Sequence, residues 1–218
     1  MATIYDCSAE AELLIGMRLA RTAIGRGDLV VMPTDTVYGV AADAFNAEAV
    51  AKLLAAKGRT RQAPPPVLIP GIPTLDALAE SVPSVVRTLV DAYWPGGLTI
   101  IVPARSSLAW DLGETRGTVA LRMPSNRIAL ELLSETGPLA VSSANLTGKP
   151  AATTAAEAES MLGESVSAYL DDGKGGTVPS TIVDATGLFA LEGKLRIVRD
   201  GTIPASDIRE LVGADQCE

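Results

Sequence analysis

Short apolar runs alternate with segments of helical periodicity along most of the chain. The runs 29–32 and 119–123 are too short for a helix and lie close to glycine and proline, which is typical of buried strands. Between such runs, the segments 8–24 and 126–136 place apolar residues three or four positions apart, which indicates amphipathic helices. Strands and helices that alternate in this way predict an α/β fold.

The same criteria place further elements along the chain. We predict strands over 3–5, 67–69, 100–102, 139–141, 169–170, 181–183 and 195–198, and helices over 46–57, 83–93, 153–162 and 204–211. No internal repeat, linker or low-complexity block interrupts the sequence pattern. We therefore interpret residues 1–218 as a single domain.

Composition narrows the classes of function. The 218 residues are 47% hydrophobic and 20% charged, as in a folded domain. A formal net charge of −8 and an aromatic content of 4% argue against a broad RNA-binding surface. The chain contains no histidine, which excludes histidine metal sites, a histidine base and every histidine-containing catalytic triad.

The cysteines and the amino terminus bear on cellular location. Cys7 and Cys217 lie near opposite ends of the chain and have neither zinc-site nor disulfide-framework spacing. The amino terminus lacks a signal-peptide pattern, and no apolar run reaches the length of a membrane span. We therefore expect a cytoplasmic protein with no membrane segment, and we predict no metal-ligating residues.

Polar clusters follow several of the predicted elements. The first cluster follows the strand 29–32, where Thr34, Asp35, Thr36 and Tyr38 supply hydroxyls and a carboxylate. Open α/β sheets bind ligands just beyond such strand ends. The alternative is a capped turn in which the side chains bond to their own backbone.

Two other clusters supply cations and neutral donors. Lys57, Arg59 and Arg61 follow a predicted helix outside the expected core, and Ser143 and Asn145 lie on a loop before another helix. Ammonium and guanidinium groups bond to phosphate oxygens, so this set suits a triphosphate. The alternatives are a solvated helix end and a plain polar loop. The Walker A and dinucleotide-binding glycine motifs are absent from the sequence, so any nucleotide site is of another type.

Arg122 stands near the end of the strand 119–123, and Pro124 ends that strand. In a strand, its neighbours Leu121 and Met123 point to the opposite face. The guanidinium therefore either pairs with a surface carboxylate or binds an anion beyond the strand end.

Seven short motifs occur in order along the chain. They are Pro33–Gly39, Lys57-x-Arg59, Trp94-Pro-Gly, Arg122-x-Pro124, Ser142-Ser-Ala-Asn145 with Gly148, Ser180-Thr-Ile182 and Arg199-x-Gly201. Together they resemble the YrdC-like threonylcarbamoyl-AMP synthase family over about 9–208. The resemblance implies a twisted open mixed sheet flanked by helices, with a positively charged concave site. It also implies that residues 1–218 form a single YrdC-like domain, with a core over about 9–208 and a short acidic tail.

The resemblance further implies a nucleotidyltransferase reaction and the residues that perform it. L-Threonine, bicarbonate and ATP would give threonylcarbamoyl-AMP and pyrophosphate for tRNA threonylcarbamoyladenosine modification, with Mg²⁺ accompanying ATP. By resemblance the catalytic residues are Lys57 and Arg59, and the ATP-binding residues are Lys57, Arg59, Ser143, Asn145 and Arg199. The candidates for binding threonine and bicarbonate are Thr34, Tyr38, Arg122, Ser180 and Thr181.

Two alternative functions stay open at this point. A carbamoyl-transfer domain of the same fold usually lies within a much larger chain that has zinc-finger-like cysteines. An RNA-binding or ribosome-maturation module would use a positive concave surface, against which the net charge of −8 counts. For a synthase, we expect other tRNA-modification proteins to act downstream, with weak or no stable tRNA binding.

Overall fold

The computed structural model describes residues 3–191 and 193–218, within which ten strands form one mixed sheet. The strands are β1 (Thr3–Asp6), β2 (Val30–Met32), β3 (Gly39–Asp43), β4 (Val67–Leu68), β5 (Leu98–Pro103), β6 (Thr118–Arg122), β7 (Leu139–Ser143), β8 (Ala168–Asp171), β9 (Thr181–Asp184) and β10 (Arg196–Arg199). Their order is β1-β8-β2-β3-β7-β4-β6-β5-β9-β10, so β1 and β10 form the two open edges. This architecture confirms the predicted α/β class with an open mixed sheet.

Seven α-helices lie between or after the strands in the described ranges. They are α1 (Glu10–Gly25), α2 (Ala47–Ala56), α3 (Ile72–Leu78), α4 (Ser84–Tyr93), α5 (Arg127–Thr136), α6 (Ala155–Leu162) and α7 (Ala205–Val212). Side-chain caps fix the starts of three of these helices, because Asn46, Asn126 and Thr154 accept hydrogen bonds from amides of the first turn.

Two elements, β3 and α3, were not predicted. β3 reads Gly-Val-Ala-Ala-Asp, and most of these residues have a low strand propensity, so only the pairing with β2 and β7 makes this segment a strand. α3 has seven residues and begins with Pro73 in its first turn, which hides its helical periodicity. Every element that the sequence did predict is present, with ends shifted by at most two residues.

The two faces of the sheet are covered to different extents. On the first face, α2 and α6 pack over one half, and α3, α4 and α7 pack over the other. On the second face, α1 and α5 pack over β8, β2, β3, β7 and Leu68 of β4, which we call the covered half. The rest of the second face, over β6, β5 and β9, is the open half. Since side chains alternate between faces, Leu121 joins the core on the first face while Arg122 points from the open half.

Residues 172–180, which we call the strap, connect β8 to β9. These two strands are second and ninth in the sheet, seven positions apart. At about 4.8 Å per strand, the span is roughly 34 Å. The ten residue steps from Asp171 to Thr181 reach at most roughly 33–36 Å when extended. Bends at 173–174 and 177–178 shorten this reach, so the sheet curls and brings β8 and β9 closer together than they would be in a flat sheet.

The folded body is wider than the predicted core of 9–208. β1 pairs with β8 before that core begins, and Cys217 packs into the core on the first face and bridges to Leu195. Across residues 3–191 and 193–218, no helix has the length and apolar character that a membrane span requires.

Candidate functional site

A cavity of about 450 Å³ lies over the open half of the sheet. Its wall combines side chains from the strands, the loop before β3, the loop after β7 and the strap. The polar residues in the wall are Thr34, Thr36, Tyr38, Arg59, Thr99, Arg122, Ser142, Ser143, Asn145, Lys149, Thr177, Ser180 and Arg199. Eight of the ten predicted site residues thus meet at one cavity, whereas Lys57 and Thr181 lie outside its wall.

The loop 33–38 brings together groups that lie roughly four residues apart along the strand direction, at opposite ends of β7. Ser143 ends β7, whereas Arg122 lies in the row of Leu139 at the start of β7. These two rows are roughly 13 Å apart along the strands. The loop closes this gap by folding back over the sheet face, where Thr36 Oγ1 accepts a hydrogen bond from Arg122 Nη1 at 2.8 Å. The site therefore lies on the face of the sheet and not beyond one strand end.

Thr34 holds the loop 33–38 in this shape. Its hydroxyl donates to the carbonyl oxygen of Val37 at 2.6 Å and accepts from the amide of Thr36 at 3.1 Å. These bonds are the capped turn that the sequence offered as an alternative. The same turn also lines the cavity, so the capped turn is confirmed and ligand binding by this cluster stays a prediction.

Arg122 is only 5% exposed and forms a buried ion pair. Its Nε donates to the carbonyl oxygen of Gly96 at 2.9 Å, and its Nη2 lies 2.8 Å from Asp35 Oδ1. The same carboxylate oxygen accepts from the amide of Ser125 at 2.9 Å. Nη2 has almost no solvent-accessible surface, and the ion pair with Asp35 is its main interaction with the described residues. Burial lowers the pKa of Arg122, and the attraction of Asp35 offsets part of that effect.

Arg199 and Ser180 form the wall near β9. Arg199 donates through Nε and Nη2 to the carbonyl oxygen of Ser180 at 3.0 and 2.7 Å. Ser180 Oγ lies 2.8 Å from Thr99 Oγ1 on β5. Burial lowers the pKa of Arg199, and the nearby cations Arg122 and Arg59 lower it further. Three arginines are therefore close enough to affect one another electrostatically.

Arg59 and Arg61 separate although they are two positions apart. Arg59 Nη1 donates to Ser142 Oγ at 2.9 Å and lines the cavity, and burial lowers the pKa of Arg59. Arg61 turns away and pairs with Asp111 through both terminal nitrogens, at 3.0 and 2.7 Å. The basic loop thus contributes one arginine to the cavity and one to an exposed ion pair.

The expectation that Lys57 lies outside the core is wrong. Lys57 follows the last turn of α2, but its side chain points inward and the residue is only 1% exposed. Its Nζ donates to the carbonyl oxygens of Ser143 and Asn145, the latter at 2.6 Å. Burial lowers the pKa of Lys57 to about 7, and the nearby Arg59 contributes in the same direction. The predicted contact of Lys57 with phosphate stays a prediction.

Thr181 and Tyr38 use their hydroxyls to hold the backbone. Thr181 is fully buried, and its Oγ1 donates to the carbonyl oxygen of Ile203 at 2.7 Å and accepts from that residue's amide at 2.9 Å. The hydroxyl of Tyr38 lies 2.6 Å from the carbonyl oxygen of Gly173 and accepts from the amide of Asp172 at 3.0 Å. Burial raises the pKa of Tyr38 well above its ordinary value. Both side chains therefore serve the loops that border the cavity.

Several wall residues were missed by the sequence analysis. Thr99 faces the cavity because it pairs with Ile182 across β5 and β9, and this pairing has no signal in the sequence. Lys149 lies after the Ser143–Asn145 motif, which was the available clue to it. Among residues 3–191 and 193–218, no cluster of acidic residues and cysteines could hold a metal ion.

Comparison with known proteins gives consistent results. A family model described as Sua5_yciO_yrdC, telomere recombination, matches residues 22–201. A Mycobacterium tuberculosis protein, provisionally named a threonylcarbamoyl-AMP synthase, is 46% identical over 99% of this chain and 97% of its own length. The threonylcarbamoyl-AMP synthase of Pyrococcus abyssi is 36% identical over 90% of this chain, and the match spans 57% of that protein.

A solved structure supports the same assignment. The crystal structure of P. abyssi Sua5 complexed with L-threonine superposes with a TM-score of 0.87 and 30% identity. The superposition covers all of this chain and 62% of the Sua5 chain. With the family model, the sequence relatives and the shared sheet in agreement, this chain belongs to the Sua5/YciO/YrdC family.

Proposed function

We propose that this protein is a threonylcarbamoyl-AMP synthase, which supplies an activated intermediate for tRNA threonylcarbamoyladenosine modification. Relatives that match along nearly the whole chain carry this name, and a structure of similar fold binds L-threonine. The observation that carries the proposal is the cavity wall, in which the buried guanidinium of Arg122 is held by Gly96, Thr36 and Asp35 close to Arg59 and Arg199.

The proposed chemistry needs little acid–base work from side chains. The amine of threonine attacks the carbon of bicarbonate, and loss of water leaves a carbamate. A carbamate oxygen then attacks the α-phosphorus of ATP, the bond to the bridging oxygen breaks, and pyrophosphate leaves. Catalysis of such a step is mainly positioning and charge neutralisation, which is compatible with a chain that lacks histidine.

Arg122 is the proposed anchor for the carboxylate of threonine. A guanidinium presents donors in a planar fork that matches a carboxylate. Arg122 Nε and Nη1 are held by Gly96 and Thr36, so the fork is fixed before the substrate arrives. Asp35 keeps the buried charge paired when the cavity is empty of substrate. Ser180, with its hydroxyl on Thr99, completes this end of the proposed threonine and bicarbonate site.

The other end of the cavity is the proposed phosphate site. Arg59, Arg199 and Lys149 lie in the wall with the hydroxyl of Ser143, and none of the described wall residues is acidic. We infer a positively charged cavity in an otherwise acidic protein, which favours a polyanion such as ATP. Mg²⁺ enters as part of the MgATP substrate. Without carboxylates in the described wall, its ligands are phosphate oxygens and water, with Ser143 Oγ within the same region.

Pyrophosphate release with one substrate omitted at a time tests this proposal. We expect turnover only when threonine, bicarbonate, ATP and Mg²⁺ are all present. Serine should be a poorer substrate but not an excluded one, because one missing methyl group is worth only about 1–3 kcal/mol. Equal turnover without threonine would rule out the synthase.

The net charge bears on RNA and on downstream partners. Because the chain carries a net charge of −8, we propose that it forms no stable complex with tRNA and passes its product to other tRNA-modification proteins. A salt titration of tRNA binding, measured beside ATP binding, separates the synthase from an RNA-binding module. Tight, salt-dependent tRNA binding without ATP binding would favour the module.

A further inference from the structure

Lys57 and the loop after β7 form one closed polar network. An ammonium group has three N–H donors. Lys57 Nζ directs them at three oxygens: the carbonyl oxygens of Ser143 and Asn145, and Asn145 Oδ1 at 3.4 Å. In return, the carbonyl oxygen of Lys57 accepts from the amide of Thr147 at 3.1 Å. The end of α2 and the loop 143–149 are therefore bonded in both directions.

Asn145 extends this network within the loop. Its Nδ2 donates to the carbonyl oxygens of Leu146 and Lys149, at 2.9 and 2.7 Å. The amide of Lys149 donates to the carbonyl oxygen of Leu146 at 3.0 Å. All of these partners are backbone groups, so the network fixes the path of the loop and with it the position of Ser143 in the cavity wall.

The buried position of Lys57 does not suit direct contact with a phosphate group. Lys57 is 1% exposed and absent from the cavity wall, and its three donors are already directed at protein oxygens. Lys149, on the same loop, is exposed and lines the cavity. The two lysines therefore differ in the property that a phosphate contact requires, which is an accessible ammonium group.

We propose that Lys57 is a positioning residue, which holds the loop 143–149 in its ligand-binding shape without touching the nucleotide. The inference rests on the proposed ATP-dependent function, but the state of the loop can be measured in the ligand-free protein. The ammonium group acts by satisfying the buried carbonyl oxygen of Asn145 and by adding a second donor to the carbonyl oxygen of Ser143, which also accepts from the amide of Asn145. ATP affinity then depends on Lys57 through Ser143 and its neighbours.

Lys57→Met tests the proposal through amide hydrogen exchange. We expect the amides of Thr147 and Lys149 to exchange at least about tenfold faster in the ligand-free variant, while the amide of Val141 in β7 is unchanged. ATP affinity should fall by about tenfold or more, and threonine affinity should stay within twofold. Unchanged loop exchange with lost ATP affinity would overturn the proposal, because only a direct phosphate contact gives that result.

Lys52→Met is the matched control. Lys52 lies on the same helix but is exposed, and its Nζ donates to the carbonyl oxygen of Gly27 at 2.8 Å. This variant removes the same charge at a distance from the loop. We expect its loop exchange and its ATP affinity to match those of the unmodified protein. A loop that exchanges faster in both variants would assign the effect to helix α2 in general and overturn the proposal.

Labelling of the unmodified protein gives an answer even if Lys57→Met does not fold. An amine-acylating ester should leave Lys57 unmodified both with and without ATP, and it should modify Lys149 only when ATP is absent. Modification of Lys57 that ATP prevents would overturn the proposal. If ATP protects neither lysine and a titration detects no ATP binding, the proposed function fails, while modification of Lys57 by the ester in the ligand-free protein would still overturn its positioning role.

Discussion

The covered and open halves of the sheet lie on one face and have the same alternation of side chains, yet they serve different purposes. In the covered half, Val30, Ala41 and Val141 pack against α1 and α5. In the open half, Arg122, Thr99 and Ile182 face the cavity. The connections explain the difference: α3 and α4, which join β4 to β5, both pack on the first face. Within residues 3–191 and 193–218, no helix therefore covers the open half, and polar residues fill the place of a core.

The largest effect on stability should come from the covered half. Leu132 in α5 is fully buried between the helix and the sheet. Leu132→Ala should lower the free energy of unfolding by about 2–5 kcal/mol, because it leaves a cavity in packed apolar surroundings. Urea denaturation measures this loss. The kcat and KM values of the folded fraction should stay within twofold, and a large change in threonine KM would contradict the separation of the two halves.

Arg122→Lys in the open half should change substrate binding, whereas Leu132→Ala should change stability. Lysine keeps the charge but loses the planar fork and the bonds of Nε and Nη1. We expect the KM for threonine to rise by about ten- to a hundredfold, which corresponds to the ~1.5–3 kcal/mol of a charge-assisted hydrogen bond. The KM for ATP should be nearly unchanged. A threonine KM within twofold of the original would show that Arg122 is not the carboxylate anchor.

The buried Lys57 should make the free energy of unfolding depend on pH. Its pKa is about 7 in the folded protein, below the ordinary value of 10.5, so the unfolded chain binds more protons between these values. Stability should therefore rise with pH above 7, by up to about 1.4 kcal/mol per pH unit, and this gain is lost as pH falls to 7. Above pH 9 the rise is opposed by Cys7, since burial raises its pKa to about 12.

The control for this effect is Lys57→Met, because methionine has no proton to bind. Unfolding free energies of the variant, measured between pH 7 and 9, should lack the upward slope. Equal slopes in the two proteins would show that burial beside Arg59 does not lower the pKa of Lys57.

The smallest effect should come from Thr181, which adjoins the cavity without entering it. Thr181→Val removes two hydrogen bonds to the backbone of Ile203 and should lower the free energy of unfolding by about 1–2 kcal/mol. The KM values for threonine and ATP should not change. Ser180→Ala is the matched variant at the neighbouring wall position, where we expect a higher threonine KM and little loss of stability. The reverse pattern would place Thr181 in the substrate site.

The sequence predicted the elements well because their signals are local. Asn46, Asn126 and Thr154 cap helices at the predicted starts, since a cap depends only on the next few residues. The motifs around Ser143 and Arg122 likewise led to the cavity, since each lies at the end of a strand. β3 was missed, because its glycine and alanines become a strand only through their neighbours in the sheet.

The partners of several site side chains could not be predicted, because these partners come from distant parts of the chain. The spacing of Lys57 and Arg59 is typical of a cationic loop, and nothing in it shows that one points inward and the other to the cavity. Asp35 was recognised as polar, but its role as the partner of Arg122 arises from a loop that folds back across the sheet. Both outcomes are set by tertiary packing.

The strap is held in place by contacts along its path. Gly176 passes so close to the carbonyl oxygen of Thr36 that a Cβ would clash there, and Asp172 is held by Asn126 at 3.0 Å. The close contact at Gly176 and the hydrogen bond at Asp172 hold the strap over the cavity, so it cannot swing away unless both are broken. Since Thr177 and Ser180 of the strap line the cavity, these contacts also fix one side of its wall. Any side chain at position 176 would therefore force the strap and the loop 33–38 apart and change the shape of the cavity.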